Sequence, residues 1–196
     1  MAHDDDEFDA AKFDRIREVL REEYTRRDDK LRPWIIGFSG GKDSTLLAQL
    51  VFEMLLEIPV SWRKRPVHVV SNDTMVESPI VQALVDRVLV KMRAAVEDGL
   101  HVPVTVVKTQ PDHRQTFWVN LIGRGYPAPS RIFRWCTDRM KIRPTGKYIR
   151  DITSGAGGSV LLIGVRRDES KARAESIERH GAARLNPHGT VPGCDV

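Results

Sequence analysis

Short apolar runs alternate with longer amphipathic segments along most of this chain. The runs lie at 33–39, 66–73, 101–109 and 159–165, and their β-branched residues are typical of buried strands. Apolar residues recur at spacings of three and four in the segments between the first three runs, which predicts helices. Strands that alternate with helices predict βαβ units, and we expect an α/β three-layer sandwich with a parallel sheet of about five strands.

The helical pattern also divides the chain into three parts. Helices are predicted at 7–29, 42–57, 77–97, about 144–152 and 168–180. The first is an N-terminal amphipathic helix within residues 1–30, and residues 31–180 hold the alternating strands and helices. Residues 181–196 follow without a recognisable closing element, and we expect them to be the start of a truncated C-terminal region.

Polar clusters follow the predicted strands, at 39–45, 71–74, 108–110 and 166–170. The carboxyl ends of parallel strands meet at one edge of a sheet, and open α/β sheets bind their ligands beyond that edge. The sequence therefore predicts a ligand site built from these four clusters.

The composition of the chain bears on its location in the cell. No apolar run approaches the roughly 18 residues that cross a membrane, and the acidic first ten residues lack the apolar core of a signal peptide. The chain has only two cysteines, Cys136 and Cys194, which do not make a disulfide framework. We expect a cytoplasmic protein with no membrane partner.

Charge is spread unevenly. The first 30 residues carry 11 acidic and 7 basic side chains, although the whole chain has a net charge of +4, so the body of the protein is basic. A basic body favours nucleotides or nucleic acid as partners. The alternative is that these charges only keep the surface soluble.

The stretch Ser-Gly-Gly-Lys-Asp-Ser-Thr joins the first strand to the second helix. Glycines let the backbone turn its N–H groups toward a ligand, and the helix start and the lysine add positive charge. The predicted nucleotide-binding residues here are Ser39, Gly40, Gly41, Lys42, Asp43, Ser44 and Thr45. An aspartate in a phosphate cradle calls for a metal ion or a lysine that offsets its charge. The alternative is a glycine-rich turn that only caps a helix.

With every specified position matched, Ser-Gly-Gly-x-Asp-Ser resembles the pyrophosphate loop (PP-loop) of the adenine-nucleotide α-hydrolase-like enzymes. The resemblance implies that ATP and Mg²⁺ bind here, that the α-phosphorus is attacked and that pyrophosphate leaves. It also implies catalytic roles for Lys42, Asp43 and Arg166.

Three further segments, at 71–79, 134–144 and 163–174, resemble blocks of the phosphoadenosine-phosphosulfate (PAPS) reductase branch in the same order. Asp73 could meet ribose, adenine or the metal, or could cap the next helix. Gly164 would let a ligand approach the backbone. Arg166 could pair with phosphate oxygens, and a surface salt bridge is its alternative.

Residues 131–150 hold five arginines and two lysines against one acid, Asp138, with aromatic residues among them. For Arg134, Arg139 and Lys141 we favour binding to phosphate or nucleic acid. For Trp118 and Phe133 we favour packing in the core.

The strings at 116–130, 134–144, 164–180 and 185–195 together resemble the DndC-like sulfurtransferase component of bacterial DNA phosphorothioation systems. That resemblance implies DNA, a cysteine desulfurase and other subunits of the modification complex as partners, and a [4Fe–4S] cluster in the full-length protein. Cys136 and Cys194 could be two ligands of an incomplete cluster site, or Cys136 could carry a persulfide; we expect no intact cluster here. The alternatives are a PAPS-type reductase of sulfate assimilation and a non-catalytic nucleotide-binding scaffold module.

Overall fold

A four-stranded parallel sheet forms the centre of the protein. The computed structural model describes residues 10–130, 132–155 and 157–164, and four helical residues further on, Lys171, Ala174, Glu175 and Glu178. The strands are β1 (Trp34–Gly37), β2 (Val67–Asn72), β3 (Val104–Thr109) and β4 (Val160–Leu162), in the spatial order β3-β2-β1-β4. All three pairings are parallel, which confirms the predicted α/β sheet. Within the described ranges the sheet has four strands rather than about five.

Helices cover both faces of this sheet. Helices α1 (Ala10–Thr25), α2 (Lys42–Glu57) and α3 (Pro79–Glu97) share one apolar core with the inward residues of β1, β2 and β3. Helix α5 (Arg143–Thr153) lies on the other face, where the hydroxyl of Tyr148 is 2.8 Å from Nδ1 of His68 on β2. The three-layer arrangement is therefore confirmed. Helix α1 ends at Thr25 rather than at residue 29, because the chain turns there toward β1.

The position of β1 inside the sheet explains why its sequence is apolar without alternation. Ile35 and Ile36 on β1 point to opposite faces, and neither side chain is exposed to solvent. A strand that is covered on both faces has no solvent side for polar residues. On the α2 side, Val51, Met54 and Leu55 are also fully buried against the sheet.

A continuous helical segment replaces the short helix predicted at about 144–152. It begins with α4 (Trp135–Thr137), widens into a π-helical turn at Asp138–Ile142 and continues as α5. Pro144 had suggested a helix start, but the wide turn before it lets the helix continue upstream. A second π-helical turn lies at Val119–Gly123. No helix in the described part of the chain is long and apolar enough to cross a membrane.

Arg65 attaches the end of α1 to the start of β2. Its guanidinium is buried and donates to the carbonyl oxygens of Tyr24, Arg26 and Arg32 at 3.1–3.2 Å, and to the carboxylate of Asp28 at 3.0 Å. The hydroxyl of Tyr24 donates in return to the carbonyl oxygen of Arg65 at 2.7 Å. One side chain therefore satisfies two carbonyl groups at the end of α1, where a helix normally leaves its carbonyls unpaired, and a third at Arg32, just before β1.

We expect Arg65→Ala to lower the free energy of unfolding by about 3 kcal/mol, because it leaves several buried acceptors without donors. Chemical denaturation would measure the change. Arg27→Ala is the control, since Arg27 pairs with Asp29 at the surface and both side chains are at least 85% exposed; it should change little. Equal stability of the two variants would contradict the role given to Arg65.

Candidate functional site

The chain order around β1 creates a crevice at the carboxyl edge of the sheet. Helix α2 leads from β1 to β2 on one side, whereas β4 pairs with β1 on its other side after a longer connection. Such a switch point leaves a cleft beyond the strand ends, where ligands of open α/β sheets bind. The glycine-rich loop of residues 39–41, which leads into α2, lies directly after β1 and therefore borders this cleft.

Gly40 gives the loop its shape. Its φ of +76° is a left-handed conformation, and a Cβ there would lie 2.5 Å from Cγ2 of Val85 on α3. A side chain at this position is therefore excluded both by backbone conformation and by space. The loop is packed against α3 as well as joined to α2.

Hydroxyl groups organise the interior of the loop. The Ser44 hydroxyl is buried and donates to the carbonyl oxygen of Gly41 at 2.9 Å. The amide of Ser39 donates to Ser44 Oγ at 3.3 Å, and the amide of Gly41 lies 3.4 Å from Ser39 Oγ. Ser44, which was predicted to bind nucleotide, thus holds the loop in place, and Thr45 donates its amide to Gly41 in the first helical turn.

The start of α2 is well suited to an anion. No side chain caps it, so the positive end of the helix dipole and the first N–H groups face the cleft without a competing acceptor from a cap. Lys42 is exposed and forms no ion pair with the residues that the structure describes. Asp43 is half-buried in the same turn.

Gly164 brings β4 close to this helix start. A Cβ at Gly164 would lie 2.6 Å from the carbonyl oxygen of Asp43 and 2.8 Å from its carbonyl carbon. The backbone of α2 thus occupies the space beside Gly164 where a side chain would lie. The sequence had suggested that a ligand would approach there. Arg166, two positions later, lies outside the described residues.

Asp73 lies at the end of β2 and is held by its neighbours. Its carboxylate accepts from Gln110 at 3.0 Å and from the amide of Met75 at 2.9 Å, and it lies 3.3 Å from Nζ of Lys108. Burial raises the pKa of Asp73, but the hydrogen bonds and the Lys108 charge outweigh it and hold that pKa below its ordinary value. The sequence pattern assigned no separate role to Lys108 and Gln110, although their position at the carboxyl end of β3 was the signal.

The segments at 71–79 and 134–144 meet beside Asp73. The hydroxyl of Thr145 on α5 donates to Oδ1 of Asn72 at 2.7 Å, and Nζ of Lys141 lies 3.7 Å from the carboxylate of Glu77. Between the two segments lies a groove of about 210 Å³, lined by Thr74, Val76, Glu77, Phe117, Cys136, Thr137, Met140 and Lys141. Cys136 also borders a wider depression of about 510 Å³, lined by Pro129, Ser130, Arg134 and Thr137.

The three predicted phosphate-binding side chains have different surroundings. Arg134 is exposed at the wider depression, and Lys141 is half-exposed with Glu77 as its partner. Arg139 instead donates to Gln115 and, at 2.8 Å, to the hydroxyl of Tyr126. The guanidinium of Arg139 therefore bonds to other side chains of the protein.

Two aromatic side chains lie at the surface instead of the core. Trp118 is 57% exposed and Phe133 is 45% exposed, so the expectation that they pack in the core was wrong. The interior positions of this region are taken by Trp135 and Asn120.

The described residues do not fit an iron–sulfur cluster. Within that part of the chain no three His, Cys, Asp or Glu side chains lie close enough to share a metal ion. Cys136 is a free thiol, and Cys194 lies outside the described residues. Mg²⁺ needs fewer protein ligands, because it is bound by one or two carboxylates together with substrate phosphates. Asp43, beside the uncapped helix start, fits that requirement.

Comparisons with known proteins place the chain in a family. The model of the phosphoadenosine phosphosulfate reductase domain matches residues 33–180. An uncharacterized protein of Methanocaldococcus jannaschii is 25% identical over 149 residues, which cover 76% of this chain but only 26% of that protein. This chain thus spans about a quarter of the relative's length.

Among solved structures, an NH3-dependent NAD synthetase from Campylobacter jejuni, in complex with the nitrate ion, is similar with a TM-score of 0.49 and 16% identity. The alignment covers 83% of this chain and 59% of the synthetase chain. The family match covers most of the chain and includes the glycine-rich loop, Asp73, Cys136 and Gly164. The chain therefore belongs to the phosphoadenosine phosphosulfate reductase domain family.

Proposed function

We propose that this protein is an ATP pyrophosphatase that adenylates a DNA backbone phosphate so that sulfur can be inserted into it. The observation that carries the proposal is the uncapped start of α2, with the exposed Lys42 beside it, at the switch point of the sheet. Backbone amides, a helix dipole and a lysine together form a site for the pyrophosphate end of ATP.

Each group next to the glycine-rich loop has a role in the proposed reaction. The amides of the first turn of α2 and Lys42 bind the β- and γ-phosphates and stabilise the charge that develops as pyrophosphate leaves. Asp43 would hold Mg²⁺, which would supply further positive charge against the phosphates. Arg166 is proposed to assist from beyond β4.

The proposed reaction has three steps. A DNA phosphate oxygen forms a bond to the α-phosphorus of ATP, and the bond from that phosphorus to the bridging oxygen breaks, so that oxygen leaves with the electron pair as pyrophosphate. The terminal sulfur of a persulfide, supplied by a cysteine desulfurase, then attacks the DNA phosphorus, and AMP leaves. A thiol reductant finally attacks the carrier sulfur of the resulting S–S bond, so the outer sulfur stays on the DNA phosphorus with the electron pair and the reductant is oxidised to a disulfide. No step here runs through an iron–sulfur cluster.

The basic composition of the segment around Cys136 supports DNA as the acceptor. Residues 112–150 contain nine basic and two acidic side chains, which is a larger excess than that of the whole chain. Phosphate contacts of this kind supply most of the affinity of proteins for nucleic acid. The cysteine desulfurase and further subunits of a modification complex are proposed partners.

A PAPS-type reductase is the second candidate. The matching family model is that of the reductase domain, and the free thiol of Cys136 opens onto two grooves at the surface. A thiol at that position would attack the sulfur of a sulfonate donor, with thioredoxin as the reductant.

We expect pyrophosphate release from ATP in the presence of DNA to fall at least about tenfold in Lys42→Ala, since a charge that stabilises the leaving group is lost. A coupled assay for pyrophosphate would measure it, with circular dichroism to check the fold. Lys91→Ala is the matched control, because Lys91 is an exposed lysine in the middle of α3. If Lys42→Ala and Lys91→Ala turn over ATP equally fast, Lys42 has no part in the mechanism.

The two close-packed glycines give a test of the site that does not require turnover. We expect Gly40→Ala and Gly164→Ala to weaken ATP binding, measured by isothermal titration calorimetry, because each new methyl group displaces the loop or the first turn of α2. Gly123→Ala should bind ATP normally, since a Cβ there meets nothing within 4 Å. Normal ATP binding by both of the first two variants would argue against a nucleotide at this cleft.

The two candidate reactions give different products. We expect pyrophosphate from ATP and no sulfite from PAPS when thioredoxin is supplied. Sulfite without pyrophosphate would establish the reductase instead. ATP binding without either product, with DNA and the desulfurase present, would identify a non-catalytic nucleotide-binding module.

A further inference from the structure

We propose that Trp118 stacks against an unpaired base and that the strand bound beside Cys136 is single-stranded DNA. The identity of the nucleic acid rests on the proposed function. The stacking site rests on separate observations, which are the exposure of Trp118, the cluster that supports it and the charge around it.

Trp118 is the outer end of an aromatic cluster formed by Phe117, Trp118, Tyr126 and Trp135. The Trp118 ring meets the Phe117 ring edge-on, with 5.1 Å between ring centroids. Phe117 in turn stacks on Trp135 at 5.4 Å with an angle of 22° between the planes, and Tyr126 meets Trp135 edge-on at 5.5 Å. The cluster therefore runs from the interior to the surface.

The inner part of this cluster is held in place by polar contacts. Trp135 is buried and its Nε1 donates to the carbonyl oxygen of Pro127 at 3.0 Å. The Arg139 guanidinium lies 5.1 Å from the centroid of the Tyr126 ring and bonds to its hydroxyl. Trp118 therefore rests on neighbours whose positions are fixed. An aromatic side chain also loses little conformational entropy when it binds a ligand.

Exposed cations lie on the same segment of the chain as Trp118, and Arg134 lines the depression next to Cys136, whose other groove Phe117 lines. Arg114 and Arg134 are both exposed, and neither forms an ion pair with any residue in the described ranges. Their charges are therefore not neutralised by nearby carboxylates and can attract phosphates. An exposed aromatic ring with cations nearby is the arrangement that binds single-stranded nucleic acid through base stacking and backbone attraction together.

The position of the cluster connects it to the proposed chemistry. Phe117, which touches Trp118, lines the groove of about 210 Å³ together with Cys136 and Lys141. A strand whose base stacks on Trp118 would therefore pass close to this groove. In a duplex the base faces are already covered by their neighbours, so a stacking side chain selects an unpaired or extruded base.

The chain contains its own control for this surface. Trp62 is 60% exposed, close to the value for Trp118, but it lies in the turn Val60–Trp62, which precedes β2 at the opposite edge of the sheet. The remaining two tryptophans, Trp34 and Trp135, are buried. A Trp62→Phe protein therefore has Trp118 as its one exposed tryptophan.

The test measures anisotropy of a labelled oligothymidylate titrated with the full chain, and compares it with a duplex of the same length. We expect Trp118→Ala to weaken single-strand binding by roughly 5- to 150-fold, the effect of losing one stacked base, with duplex binding unchanged. Trp118→Phe should retain most of the affinity because a ring remains, and Trp62→Ala should bind as the wild type does. In the Trp62→Phe protein, the single strand should quench tryptophan fluorescence.

The proposal is overturned if Trp118→Ala binds the single strand as tightly as the wild type, or if it weakens duplex binding to the same extent. Tighter binding of single-stranded RNA of the same length would overturn DNA as the ligand. We expect Trp118→Ala to bind ATP as the wild type does when no nucleic acid is present. A protein that binds ATP normally but fails the stacking test would refute this inference alone. Pyrophosphate release that is absent in the wild type, or that is unchanged in Lys42→Ala, would instead refute the proposed function.

Discussion

The parallel pairing of β1 with β2 on one side and β4 on the other is the constraint on which this site depends. Because β1 is buried on both faces and paired on both edges, its carboxyl end has one position relative to its neighbours. Parallel strands bring their following loops to a single edge, so the glycine-rich loop, Asp73 and Gly164 lie at the same edge of the sheet. At this edge Gly164 is packed closely against the backbone of Asp43.

Among the described residues at this edge, Lys42 and Lys108 differ in whether a carboxylate neutralises them. The carboxylate of Asp73 is ionised but already shared by Gln110, the Met75 amide and Lys108, which also pairs with Asp86 at 2.8 Å. Lys42 has no such carboxylate partner in the described part of the chain. An anion in the cleft therefore meets the uncapped helix start and Lys42, whereas Asp73 is held as a hydrogen-bond acceptor at the side of the cleft.

Sequence periodicity predicted the strands and the bounds of α2 correctly, because buried strands and amphipathic helices have distinct spacings of apolar residues. The loop motif predicted the place of the candidate site for a similar local reason. What the sequence could not show is which apolar side chain faces outward. Trp118 and Trp135 look alike in a one-dimensional pattern, yet one is exposed and the other buried, since only the packing of Phe117 and Tyr126 distinguishes them.

The roles of Gly164 and Arg139 were hidden for the same reason. Each is decided by a partner far away in sequence: the backbone at Asp43 for one, and Tyr126 together with Gln115 for the other. The helix at 135–153 is also longer than the pattern predicts. Pro144 is typical of a helix start, but the wide turn before it lets the helix begin further upstream.

That wide turn sets the direction in which Cys136 faces. An α-helix advances by about 100° per residue around its axis, and the extra residue in each π-helical turn offsets the parts on either side of it by about that angle. If Asp138–Ile142 closed to ordinary α geometry with α5 held by its bond to Asn72, Cys136 would rotate by about a quarter turn around the helix and leave the groove. The angular offset across this turn therefore determines whether the Cys136 thiol reaches the groove.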